Sequence, residues 1–358
     1  MTELKPYLSI VTVSRNDDHG GNPLERTQLF IDSLYYQCNR YKLETELIIV
    51  EWNPPGDRKR LYEVLSWPNN SQYVKTRIIT VPQEIHNTLK NADRIPLFQM
   101  IGKNVGIRRA EGQFILATNI DIIFSDELIE YLARKKLKEN IIYRVDRMDV
   151  SAPFSESEWF SYFFKHPESV MQDYCQSHTL RINKKYGTIP RSFSKNAQLK
   201  MYLTHKFLKF SNQITKNIPF YGNIHSNGCG DFTLLSRALW MELKGYPELQ
   251  IFSWNIDSIL LIIAFHRHIA EVDLKPPMNV YHIEHDSGSG WTPGKGEELL
   301  FKRLGEKKIP VFTWEDCISF SKTLDKMGTS YEHVYLNGPD WGFADFNLDE
   351  ILINIDKK

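Results

Sequence analysis

The sequence predicts an α/β protein built on a mostly parallel sheet covered by helices. Near-continuous apolar runs of strand length alternate with segments whose apolar residues recur at helical spacing. Polar residues also gather just past the ends of the apolar runs, where open sheets of this class bind their ligands. With 358 residues, the chain has room for one large domain or two ordinary ones, and either buries a substantial core.

The elements follow in order. YLSIVTVS (7–14), ELIIVEW (46–52), TRIITVP (76–82) and QFILATNI (113–120) read as strands buried on both faces. LERTQLFIDSLYYQ, DRKRLYEVLSW and PLFQMIGKNVGIRRA read as the helices between them. From about residue 150 the texture turns aromatic and irregular, in SAPFSESEWFSYFFKHPES. DFTLLSRALWMELKG (231–245) shows a helical pattern that exits at Gly245-Tyr246-Pro247, and NIDSILLIIAFHRH (255–268) reads as a buried helix. PPMNVYHIEH (276–285) reads as a strand leading into the glycine-rich loop SGSGWTPGKG, and residues 297–358 as shorter helices with an exposed aromatic turn, NGPDWGFADF (337–346).

Charge and composition narrow the function classes. Forty-four basic residues balance forty-four acidic ones, so net charge gives no reason to expect nucleic acid as a partner, and no recognised nucleic-acid-binding motif is present. The four cysteines lie far apart without a CxxC pair, which argues against a structural zinc site or a disulfide framework and fits a reducing compartment. The N-terminus lacks secretory-signal character, and the longest apolar run, SILLIIAF (258–265), is far below the roughly 20 residues of a membrane span. The expectation is a cytoplasmic protein, peripheral at the inner membrane face if the basic region described below touches lipid. Neither GxGxxG nor a correctly spaced phosphate loop occurs, which argues against dinucleotide and P-loop enzymes. VTVSRNDD contains no glycine, which argues against a nucleotidylyltransferase.

The apolar run GQFILATNID ends at Asp121, two residues after Asn119. A carboxylate just past a buried parallel strand sits at the ligand-binding edge and suits Mg²⁺ or Mn²⁺. The competing role is N-cap of the helix that begins near Ser125, or a solvated acid. NID recurs at 255–257 and 354–356, so the tripeptide alone decides nothing.

KNVGIRRAEGQFILATNID resembles the central signature of GT-A fold nucleotide-sugar glycosyltransferases, particularly the family-two-like group, in which such a segment leads into a strand ending in D-x-D. The resemblance covers the first 150 residues well and continues more loosely through NGCGDFTLLSRALWMELKGYPE, NIDSILL and YHIEHDSGSGW. It implies a GT-A (Rossmann-like) mostly parallel sheet flanked by helices. Residues 1–150 would form the nucleotide-sugar-binding half, 151–296 the acceptor-binding half with a basic insertion at 174–230, and 297–358 a helical C-terminal extension. It makes Asp121 the metal-binding acid, with Asn119 standing where the first acid would be and able to hydrogen-bond a ribose hydroxyl of the donor or a metal-bound water. Ser14, Arg15 and Glu51, at the ends of the first two strands, fall where such enzymes hold base and ribose. Lys103 and Asn104 match positions near the diphosphate, with Gly106 allowing close backbone approach. A sheet-edge salt bridge is the structural alternative for Arg15 and Glu51. His282 or His285 could supply a further metal ligand; lying on opposite faces of a strand, both reach the metal only if the strand ends at Ile283, and His285 is favoured. Asp257, or alternatively Asp231, would take the acceptor proton, and each could instead be a helix N-cap.

The implied activity is transfer of a sugar from a UDP- or GDP-sugar donor to a glycan or lipid-linked acceptor, in surface polysaccharide or glycoconjugate synthesis, with Mn²⁺ or Mg²⁺ as cofactor. The alternative is a non-catalytic sugar- or nucleotide-binding protein on a degenerate GT-A fold. Residues 174–230 contain nine Lys or Arg and no Asp or Glu. That bias points to an anionic acceptor or an anionic membrane surface, or else to a solvated helical face.

Overall fold

The structure is a computed structural model that describes residues 6–17, 23–68, 71–151, 170–285, 297–328 and 337–353. Four strands, β1 (Leu8–Ser14), β2 (Thr45–Trp52), β3 (Val74–Val81) and β4 (Phe114–Ala117), form the parallel centre of the main sheet, in the order β4-β1-β2-β3. The chain steps outward from β1 to β3 and then crosses back to β1's other side. The β1/β4 boundary is therefore the topological switch point, where the strand ends open a crevice.

Alternation along these strands builds two cores. Val11, Val13, Ile48, Val50 and Trp52 face one side, and Leu8, Ile10, Leu47 and Ile49 the other. Helix α1 (Pro23–Tyr41) covers the second side through Phe30, Ile31, Leu34 and Tyr35. DRKRLYEVLSW gives only the single turn α2 (Leu61–Val64), because Leu65 turns extended ahead of Ser66, whose N–H and carbonyl are both held by Gln28. A second one-turn helix, α3 (Gln83–His86), follows β3, and α4 (Gln99–Arg109) then covers the first side. A Cβ on Gly106 would lie 2.5 Å from Val11 Cγ1, so this glycine lets α4 lie flush on β1 and makes its close approach to the sheet.

A second sheet of five strands runs β5-β12-β7-β8-β9. It comprises β5 (Ile122–Phe124), β7 (Asp146–Val150), β8 (Thr179–Lys184), β9 (Gly187–Pro190) and β12 (Asn279–Ile283). Asp121 lies where the chain leaves the main sheet after β4 and enters this second one at β5. Helix α5 (Asp126–Ala133) follows β5, α6 (Val170–Ser177) precedes β8, and α7 (Lys195–Thr215) follows β9.

Four expectations change. DFTLLSRALWMELKG is not helical throughout: Thr233–Ser236 forms β10, antiparallel between β4 and β6 (Ile141–Arg144), and only then does α8 (Arg237–Leu243) begin, capped by Ser236 Oγ. Beyond β6, the edge strand β11 (Ala270–Asp273) completes that side, after the buried helix α9 (Ile256–His266). The C-terminal extension is not purely helical. After α10 (Glu298–Glu306) and α11 (Trp314–Met327) comes β13 (Glu350–Ile353), antiparallel to β3, where Arg77 Nε meets Glu350 Oε1 at 2.6 Å. The aromatic turn is not exposed at Trp341, which is 2% accessible beneath the Arg108 guanidinium, while Phe343 stacks on Trp52. Finally, β4 stops at Ala117 rather than running to Ile120.

SGSGWTPGKG, the NID at 354–356 and nearly all of the aromatic stretch after Ser151 lie outside the described residues. Cys38, Cys175, Cys229 and Cys317 are buried and free. No helix among the described residues is long and apolar enough to cross a membrane.

Candidate metal centre

Asp121, His282 and His285 converge, with one ligand atom from each lying within 4.8 Å of the others. His285 Nε2 is 3.1 Å and His282 Nε2 is 3.6 Å from Asp121 Oδ2. Both histidines reach the same carboxylate because β12 ends at Ile283. Glu284 then leaves the β12–β5 ladder, donating its N–H to Val150 O, and His285 comes round beside His282 with ring centroids 5.7 Å apart. Asp121 does not cap α5, since Ser125 Oγ accepts the Leu128 N–H and does that itself.

Burial alone would raise the Asp121 carboxyl pKa, but the charge of His282 and hydrogen bonds from both histidines outweigh it and hold the acid well below its ordinary value. His282 is pushed up to about 10: burial disfavours its charge, and Asp121 and Asp149 together overcome that. Asp121 Oδ1 and His285 Nδ1 are buried without a hydrogen-bond partner.

The β7/β12 register sets Asp149 directly opposite His282. Its Oδ1 lies 3.3 Å from His282 Nδ1, the ring nitrogen turned away from Asp121. A carboxylate in that position orients an imidazole and fixes its tautomer, the usual support behind a metal-binding histidine. Asp149 is in turn fully buried, with Arg147 Nε 2.9 Å and Arg181 Nε 2.5 Å away and Asn183 Nδ2 donating at 2.9 Å. Arg181 also reaches Glu284 Oε1 at 2.5 Å, which pins the residue just before His285. None of these supporting residues stands out in the sequence. The one available signal is DRMDV, a strand carrying three charges, at Asp146, Arg147 and Asp149.

A second group adjoins the first. Arg147 Nη1 lies 2.5 Å from Asp231 Oδ2, and Asn119 Nδ2 donates to Asp231 Oδ1 at 2.6 Å. Asn119 Oδ1 accepts from Gln99 Nε2 at 2.7 Å. Asp231 lies in a short 3₁₀ turn, Cys229–Asp231, and caps no helix. The fully buried Lys103 supports that turn, donating to Gly230 O at 2.7 Å. Desolvation lowers the Lys103 pKa to about 8, against the pull of Asp231, Asp257 and Asp121. Asp257 sits behind the same turn: a Cβ on Gly230 would come within 2.9 Å of its Oδ2. The N-cap of α9 is Asn255, and burial raises the Asp257 pKa despite the Cys229 thiol, Lys103 and the Ser258 N–H.

The remaining nominated residues are not in these clusters. Ser14, at the end of β1, is 3% exposed with its Oγ unpartnered. Arg15 Nη1 donates to Pro96 O at 2.9 Å, and its Nε pairs with Asp17 at 3.1 Å. Glu51 accepts from Arg60 Nε at 2.7 Å and from the Leu61 N–H at 2.8 Å, closing the start of α2. Asn104 holds the turn after α8, donating to Tyr246 O and Glu248 Oε1 and accepting from the Tyr246 N–H.

No protein-family model and no curated protein matches the chain. Among solved structures, 140 chains match. One is the crystal structure of GalNAc-T7 with UDP, GalNAc and Mn²⁺, at a TM-score of 0.43 and 12% identity. That similarity covers 94% of this chain and 53% of the other, so this chain spans about half the length of the protein it resembles.

Proposed function

We propose that this chain is a GT-A-type glycosyltransferase that moves a sugar from a nucleotide-sugar donor, a UDP- or GDP-sugar, to a glycan or lipid-linked acceptor. The observation that carries the proposal is the convergence of Asp121, His282 and His285 beside the switch point of a parallel sheet, with a buried Asp121 oxygen left unpartnered. One carboxylate and two imidazoles fit Mn²⁺ better than Mg²⁺, which prefers oxygen ligands and keeps its water. A divalent ion held there would neutralise charge growing on a departing diphosphate.

The chain's own residues supply the rest. Asp149 fixes the His282 ring, and Glu284, held by Arg181, fixes the approach of His285. Ser14 ends β1, the strand next to β4, and Arg15 follows it; the two would face the donor's nucleoside end. Asn119, whose amide is already engaged by Asp231 and Gln99, would reach the donor only through its remaining N–H. Of the two acceptor-side acids, Asp257 is the better proton acceptor. Its pKa is raised toward working pH by burial, whereas Asp231 is fixed by Arg147 and Asn119.

The test is a screen of UDP-, GDP- and CMP-sugars with Mn²⁺ or Mg²⁺, reading release of free nucleotide. At least one donor is cleaved by the wild-type protein, and cleavage is lost in Asp121→Asn and reduced in Asp257→Asn. Donor binding without any cleavage would instead favour the non-catalytic binding protein, and undiminished cleavage by Asp121→Asn would remove the proposed role of the metal centre.

A further inference from the structure

The basic region divides in two once its contacts are known. Lys184 pairs with Asp146 at 2.6 Å, Lys185 with Glu271 at 2.7 Å, and Arg181 with Asp149 and Glu284, so these cations serve the fold. Arg191 also turns inward, donating to the Ser177 carbonyl. Lys195, Lys200, Lys206 and Lys216 are exposed on α7 or at its end and pair with no acid among the described residues.

Helix α7 is 21 residues long, about 31 Å at 1.5 Å per residue, yet His205 is the one residue it buries. His205 packs between Tyr186 and Tyr221, and the Lys209 chain lies against Gly222, which fixes the inner face. The outer face is apolar. Leu199, Leu203, Phe207, Phe210 and Ile214 are between 55% and 70% exposed. At 3.6 residues per turn they fall within an arc of about 80°, roughly opposite His205. Lys200 flanks that arc on one side and Lys195 and Lys206 on the other.

A monomer's surface rarely carries a contiguous stripe of this kind without a partner. Large apolar side chains in a narrow arc, rimmed on both sides by unpaired lysines, are the pattern of a helix lying in a membrane interface. The absence of any acid from 174 to 230 removes the repulsion that a negatively charged surface would otherwise meet. We infer that α7 is an in-plane anchor that docks the protein on an anionic lipid bilayer, with the Leu199–Ile214 stripe entering the headgroup boundary and the flanking lysines contacting lipid phosphates. This inference stands independently of the sugar-transfer proposal, since it needs neither donor nor metal.

Flotation of the full-length protein tests it, with vesicles of phosphatidylcholine alone or mixed with phosphatidylglycerol. The protein floats with the anionic vesicles at low salt, and less at high salt. Phe207→Glu/Phe210→Glu lowers the bound fraction at least about tenfold, because two anchors are lost and two repelling charges gained. Lys195→Gln/Lys200→Gln/Lys206→Gln removes the preference for anionic lipid, and serves alone should the first variant fail to fold. Wild-type protein left unfloated at low salt would overturn the inference, as would variants that float like wild type. So would a dimer, seen by light scattering, that Phe207→Glu/Phe210→Glu dissociates while vesicles capture nothing; the stripe would then be an interface between two copies.

Discussion

Replacing Asp121 by Asn is the sharpest perturbation of the candidate metal centre, because it keeps the side chain's size and removes its charge. A ligand that binds only the folded state stabilises it by about 2.7 kcal/mol at a hundred times its Kd. Unfolding entropy of about 2.1 cal/mol/K per residue gives this 358-residue chain about 0.75 kcal/mol/K. Saturating Mn²⁺ should therefore raise the wild-type Tm by about 3–4 °C, and a chelator should reverse the shift. Outer-shell partners of a metal contribute about 10–100-fold in affinity, and a direct carboxylate ligand contributes at least the upper figure. At the same Mn²⁺ concentration the variant then sits near its own Kd, and its shift falls to about 0.5 °C. Comparing each protein with and without metal cancels the effect of losing the Asp121–His282 pair itself. Differential scanning fluorimetry or calorimetry reads the result. An equal Mn²⁺ shift in wild type and Asp121→Asn would refute the assignment of Asp121, His282 and His285 as the ion's ligands.

Three further outcomes follow from the packing and charge. Asp149→Asn should weaken Mn²⁺ binding about 10–100-fold by titration calorimetry, since His282 loses the carboxylate that orients it. The half-buried Asp32 carboxyl, raised to about 6 by desolvation despite the Gln28 hydrogen bond, keeps its proton in the folded state up to about that pH and releases it near 4 when unfolded. Stability therefore falls as pH rises through that window, and Asp32→Asn should gain about 1–3 kcal/mol in urea melts at pH 7.5 and nothing at pH 4. Gly106→Ala should cost about 1–3 kcal/mol in the same assay, because its Cβ would press on Val11 at 2.5 Å.

The parallel centre of the fold was legible because its order is local. Each of β1, β2 and β3 is a strand of seven or eight residues built around an apolar run, and α1 and α4 fall between strands with clear helical spacing. The four-residue strands β10 and β13 were not, since they depend on antiparallel pairing with β4 and β3, which lie over 100 residues away in the chain. The metal-site candidates divide in the same way. Asp121 could be nominated from its place past a strand end, and the two histidines from the resemblance. Asp149 could not, because its meaning depends on the β7/β12 register that sets it against His282. Arg181 and Lys184 counted toward a basic surface in the sequence, whereas pairing with Asp149 and Asp146 turns them into structural cations.

Asn119 gains a physical account from these contacts. A carboxylate at that position would face Asp231 Oδ1 across the 2.6 Å now bridged by an amide hydrogen bond. Two like charges even 4 Å apart repel by about 4 kcal/mol at an effective dielectric constant of 20, and a shorter separation repels more. The amide avoids that repulsion and joins the two sides instead, accepting from Gln99 and donating to Asp231. Asp231 then engages Arg147, Arg147 engages Asp149, and Asp149 lies against His282, which faces Asp121. The two ends of the 119–121 segment are thus connected through a closed circuit of polar contacts spanning both sheets. Asp231 is a further acid in that circuit, and the asparagine is the residue that allows it to sit there.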